Sequence, residues 1–261
     1  MGIEQTHTVN QMETPHSSVG AFQLPCGYLD PDTRELYREV KVREISGHEE
    51  DMMSSKKTPN AQKLNNLLLA CVVQIGPIEG AKLSRVLKAL PIGDRIFLLF
   101  AIRRVTLGDE LPVTETCPSC GTKSLFMVDL GEELVVKEMP SPMKRVYDDV
   151  LPRSQMAVRF RVSTGADEAT VVKLNNGKRS DARSQAIMMR LELLGEEPPT
   201  LKGVQGLSLV DRNYLRDRFN EVEGGVDTSI DFECSECGHE WQKDLDIGAR
   251  DFFFPSGMSS R

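Results

Sequence analysis

The chain has 261 residues, 39% of them hydrophobic and 27% charged, enough for one large domain or two of about 110 to 120 residues and too apolar for a disordered segment. A net charge of −7 argues against a non-specific phosphate-binding role, because nucleic-acid affinity rests on Lys and Arg. The N-terminus has neither the basic start nor the apolar run of a secretion signal, and the apolar stretch Ile96 to Ile102 is far short of the roughly 18 residues a membrane span needs. The expected setting is a reducing cytoplasm, with no membrane and no nucleic-acid partner.

In chain order, residues 1–20 are polar and are expected to form a flexible N-terminal arm in which His7 and His16 carry no chemistry. A strand is expected around Phe22 to Tyr28, a turn at Asp30-Pro-Asp-Thr, and a second strand over Glu39 to Ile45, where Val40 and Val42 alternate with charge. Ser46 caps the helix that follows, with Glu49 and Glu50 in its first turn. Residues 51–60 and 173–182 are polar and are expected as exposed loops.

Leu64, Leu67, Leu68, Cys71, Val72 and Ile75 predict a helix from Ala61 to the stop at Gly76-Pro77, with Cys71 a small buried apolar group. Ala186, Ile187, Leu191 and Leu194 predict another from Ala182 to Gly195. Two further helices are expected near Pro91–Val105 and Ser208–Val222, the first apolar nearly all round and hence enclosed, the second amphipathic. Asp94 and Asp211 stand in their first turns, where carboxylates meet free backbone amides, so the repeated Asp-Arg need not be catalytic. Phe252-Phe-Phe-Pro reads as the last strand or extended edge, ahead of a tail that docks on a partner.

Two stretches carry chemistry. Thr-Cys117-Pro-Ser-Cys120-Gly and Glu-Cys234-Ser-Glu-Cys237-Gly each set two cysteines on a turn that the glycine allows to double back, flanked by β-prone residues. Each supplies half of a tetrahedral zinc site. The 117 residues from Cys117 to Cys234 are far more than one zinc ribbon spans, and the same shift aligns Leu90 with Leu207, Asp94 with Asp211, Arg95 with Arg212, Leu98 with Leu215, Val105 with Val222 and Gly108 with Gly225. A shift of 118 lays residues 40–50 on 158–168. The fold class expected is α+β: a tandem duplication, with repeats at 21–140 and 141–261, of a unit made of strand, two helices and zinc-knuckle hairpin. One structural Zn2+ is expected to be shared by Cys117, Cys120, Cys234 and Cys237, the alternative being two half-sites each completed by another chain.

No hydrolytic constellation and no phosphate-binding glycine loop stands out, so no catalytic residue is assigned. His239, beside Cys237, is expected at the surface because its repeat counterpart is Thr122. A Cys-x-x-Cys thiol oxidoreductase and a zinc-ribbon nucleic-acid accessory protein are the alternatives. The first usually places its cysteine at a helix N-terminus and the second needs a basic, aromatic strand face.

The run from Asp94 to Glu110, followed by Thr-Cys-Pro-Ser-Cys-Gly, resembles the baseplate hub and tail assembly proteins of contractile-tailed, T-even-like bacteriophages. The resemblance covers residues 36–130 directly and the rest through the duplication. It implies a non-enzymatic structural or chaperone-like role in virion assembly, other phage baseplate or tail proteins as partners, and a location in the host cytoplasm during assembly or in the tail itself.

Overall fold

The computed structural model describes residues 18–168, 181–248 and 250–254. Most of the expected arm (residues 1–17) and most of the second polar loop (173–180) lie outside them. Strands β1 (Val19–Leu29), β2 (Leu36–Arg43), β3 (Val72–Ile75) and β4 (Ile78–Glu79) form an antiparallel sheet in that order. Asp30 closes the β1–β2 turn by accepting the amides of Asp32 at 2.8 Å and Thr33 at 3.1 Å. Helix α1 (Gly47–Ser54) begins after Ser46, whose amide donates to Glu49 Oε2 at 2.9 Å. It reaches further than expected, taking Asp51 to Ser54 out of the first polar loop.

Helix α2 (Asn60–Cys71) stops short of the expected Gly76. Val72-Val-Gln-Ile carries three β-branched residues and meets an open edge of β2, so it pairs there as β3. The same correction applies in the second half, where α5 (Ala182–Met188) gives way to β10 (Leu191–Leu194). Between β4 and residue 140 come α3 (Leu83–Ala89), α4 (Ile92–Leu107), the hairpin β5 (Glu110–Thr116) and β6 (Lys123–Asp129), and β7 (Val135–Lys137). Strands β8 (Val146–Val150) and β9 (Ala157–Arg161) then form a second antiparallel sheet with β10, in the order β10-β9-β8. After β10 follow α6 (Leu201–Gly206), α7 (Leu209–Val222), β11 (Gly225–Asp227), the hairpin β12 (Ser229–Glu233) and β13 (Glu240–Asp244), and α8 (Arg250–Phe253). The architecture mixes helices with antiparallel strands.

The two sheets agree in detail. In the first, Lys41 faces Gln74 and Val42 faces Val72, with a bulge between; in the second, Arg159 faces Leu193 and Phe160 faces Leu191, again with a bulge between. Arg43 forks onto Glu49 at 2.8 and 3.2 Å, and Arg161 onto Asp167 at 2.6 and 2.7 Å.

Two apolar clusters form the core, and neither respects the middle of the chain. The first is built on Leu24, Val40, Leu67, Leu98 and Ile102 but also takes in Ile230, Phe232, Leu245, Phe252 and Phe253. The second surrounds Phe160, Leu215 and Phe219 and takes in Cys26. Helix α4 runs through the first with Leu98 to Ile102 all buried, as a stretch apolar on every side requires. The buried Arg103 guanidinium donates to the carbonyls of Gly108 and Glu110, each at 2.7 Å. At its start Gly93 touches Gly224: a Cβ there would lie 2.0 Å from the Gly224 carbonyl oxygen. Beside that contact β7 pairs with β11, Val136 opposite Val226.

Residues 252–254 correct another expectation. A strand would turn neighbouring side chains to opposite faces, whereas Phe252 and Phe253 are both buried. They lie on a single helical turn, and Phe252 sets its edge against Phe100 with ring centroids 5.2 Å apart. No helix among the described residues is long and apolar enough to cross a membrane.

Candidate metal centre

Both cysteine pairs sit at the tips of hairpins of the same construction. In the first, the Cys117 amide donates to the Thr122 carbonyl at 2.9 Å and the Gly121 amide to the Cys117 carbonyl at 3.0 Å; Gly121 takes φ 75°. In the second, the Cys234 amide donates to the His239 carbonyl at 3.0 Å and the Gly238 amide to the Cys234 carbonyl at 2.8 Å; Gly238 takes φ 67°. The left-handed turn that only glycine adopts freely is what brings both sulfurs of each pair to one side.

The hairpins meet tip to tip. Cys117 Sγ lies 3.7 Å from Cys237 Sγ, and Cys120 Sγ 3.6 Å from Cys234 Sγ; all four sulfurs fall within 4.8 Å of one another. A zinc ion held by four thiolates at about 2.3 Å would set its sulfurs about 3.8 Å apart. A disulfide requires about 2.05 Å, and all four cysteines are free thiols. The donor set, its count and its spacing therefore fit one tetrahedral metal ion. Cys117 and Cys234 are buried while Cys120 and Cys237 are exposed, so the cluster lies at the surface with two sulfurs turned inward.

Electrostatics point the same way. The Thr122 hydroxyl, 3.3 Å from Cys120 Sγ, and the Thr122 amide draw the Cys120 thiol down to about 6. The His239 amide also pulls on Cys237, but the neighbouring sulfurs, Cys120 first, more than offset it and hold that thiol at about 12. Four sulfurs this close cannot all carry negative charge unless a cation lies among them.

Beneath the tips the ribbons are joined by contacts that the cysteine spacing alone did not reveal. Phe126 of β6 packs edge-on against Phe232 of β12 at 5.0 Å and Trp241 of β13 at 5.9 Å. Trp241 in turn stacks on Phe232 at 5.6 Å and carries the exposed His239 ring on its outer side at 6.2 Å. Lys243 Nζ donates to both carboxylate oxygens of Glu115, at 2.7 and 2.8 Å. An aromatic on the inward register of strands flanking both cysteine pairs was the available signal. The other two cysteines stand apart: Cys26 and Cys71 are buried, and burial pushes the Cys71 thiol up to about 12.

No curated protein and no solved structure matched the chain. A family model described as T4 bacteriophage base plate protein matches residues 29–254, a span holding both cysteine hairpins and most of both cores. With that match over most of its length, the chain belongs to the T4 bacteriophage base plate protein family.

Proposed function

We propose that the chain is a structural or assembly component of a phage tail baseplate, acting through contacts with other tail proteins rather than by catalysis, and that one zinc ion staples its two halves. The observation that carries this reading is the meeting of Cys117 and Cys120 with Cys234 and Cys237, two ligands from each hairpin, at zinc-like spacing. Because those ligands come from sequence positions 117 apart, the ion closes nearly half of the chain into a loop; structural zinc sites in small peptides release on the order of 10 to 16 kcal/mol.

The halves, 21–140 and 141–261, are read as a tandem duplication. Supporting this are the shared bulge register of β2–β3 and β9–β10, the repeated Arg–carboxylate fork at Arg43–Glu49 and Arg161–Asp167, and the twin knuckles. A chaperone-like role, or permanent residence in the tail after assembly in the host cytoplasm, would each use the same stapled surface. A thiol-redox role fits less well, because both cysteine pairs lie on hairpin tips and none at a helix N-terminus.

The test is assembly in infected cells. Phage carrying Cys117→Ser or Cys234→Ser should accumulate incomplete baseplates on gradient sedimentation and yield far fewer infectious particles. Normal baseplates from both variants would contradict the stapled assembly role.

A further inference from the structure

The aligned ribbons serve as controls for each other, and their outward faces differ. On the first, Leu125 is 64% exposed and Met127 55% exposed. The same positions on the second ribbon, 117 residues on, are Gln242 and Asp244. The apolar residues are therefore not required by the hairpin. Beside Leu125 a groove of about 330 Å³ runs along β5 from Leu111 to Glu115, facing residues 243–246 of the other ribbon, with Phe232 and Phe252 in its floor.

Two features define what the groove accepts. The first is an open strand edge. The bonds from the Cys117 amide to the Thr122 carbonyl and from the Leu130 amide to the Asp109 carbonyl fix the odd-numbered residues of β5 as those that bond β6. Thr114 and Thr116 therefore turn their amides and carbonyls away from the ribbon, in which β6 is the only other strand among the described residues. Pro112, at the next outward position, has no amide to offer, which confines pairing to a short stretch. The second feature is charge. Glu115, Asp244 and Asp246 line the groove, where Lys243 is the one cation among the described lining residues and is already held by Glu115. Asp244 and Asp246 are steadied by the Ser229 hydroxyl at 2.8 Å and the Gly248 amide at 2.9 Å, and neither forms an ion pair among the described residues.

We infer that this groove docks an extended segment of another baseplate protein, in which aliphatic residues alternate with Lys or Arg and which adds to the β5 edge at Thr114. Main-chain bonds to Thr114 supply register, Leu125 and Phe252 take the aliphatic side chains, and Asp244 and Asp246 take the basic ones. The inference rests on the reading of the chain as an assembly protein that works by protein contacts.

The experiment is selection from a random library of peptides of about twelve residues against the full chain, with the enriched peptides mapped by amide chemical shifts on the labelled protein. Enrichment of alternating basic and aliphatic sequences, with shifts centred on 111–115 and 243–246, is expected. Thr114→Pro removes an amide that the ribbon does not use, at an outward position where a strand tolerates proline, and should weaken binding by about tenfold or more while leaving the metal content unchanged. Leu125→Gln, which copies the second ribbon, should weaken it as well. No enrichment, enrichment of acidic peptides, shifts elsewhere, or full binding by Thr114→Pro would each overturn the groove. Entry of the same variants into baseplate intermediates is scored separately. A groove that binds peptides in a chain that joins no intermediate defeats the assembly reading, and assembly without peptide selection defeats the groove.

Discussion

Two buried carboxylates near the strand and helix ends respond to pH in opposite senses. Glu49 is held at about 2, first by the hydrogen bonds from Arg43 and then by those from Ser46, so the folded protein keeps it ionised. Its contribution is complete above its unfolded value of about 4.3 and is lost as pH falls toward 2. Asp94 is pushed up to about 6 by burial, although the Cys26 amide donates to it at 2.7 Å. The folded protein therefore holds that proton above the unfolded value of about 3.9, and stability declines as pH rises from about 4 to about 6. In urea denaturation followed across this range, Asp94→Asn should remove the decline between pH 4 and 6, while Glu49→Gln should cost about 2 kcal/mol at neutral pH and flatten the loss at the acid end. An Asp94→Asn profile parallel to the parent would refute the assignment. The sequence placed both groups in first helical turns, but their partners, Arg43 six residues away and the Cys26 amide 68 residues away, follow from the sheet.

At the level of elements, the long helices and cysteine hairpins were legible because their signals are local: a continuous apolar run in α4, a serine cap at Ser208, a Cys-x-x-Cys-Gly turn. The Ser208 hydroxyl does accept the Asp211 amide, at 3.1 Å. Helix ends were read less well. Val72 and Ile75 continue the helical spacing of α2, and only the neighbouring edge of β2 decides that they are a strand. The approach of α4 to the second half depends on Gly93, where a methyl group would meet backbone on the far side and no flexible side chain could give way. Gly93→Ala should therefore destabilise the protein by about 2 to 4 kcal/mol in denaturant titration, whereas Gly47→Ala, with nothing within 4 Å, should change it by less than about 1 kcal/mol. Equal effects at the two glycines would mean that the α4–β11 contact is not tight in solution.

Across the whole molecule, the meeting of distant cysteines was legible because the sequence aligns with itself at a shift of 117, which lays Cys117 and Cys120 on Cys234 and Cys237. That alignment does not show how far the two parts of the chain interpenetrate: the C-terminal Phe252 and Phe253 complete the core around α4, and Cys26 enters the core around Phe160. The family match over residues 29–254 agrees with the baseplate resemblance carried by α4 and the first knuckle. The central claim is that one ion joins the two halves of a single chain, and elemental analysis of the purified monomer tests it most directly. One zinc per chain is expected, lost equally in Cys117→Ser and Cys234→Ser, since each removes one of four ligands from the same ion. Zinc retained by either variant, zinc present only in oligomers, or a metal-free monomer with unchanged stability would contradict it.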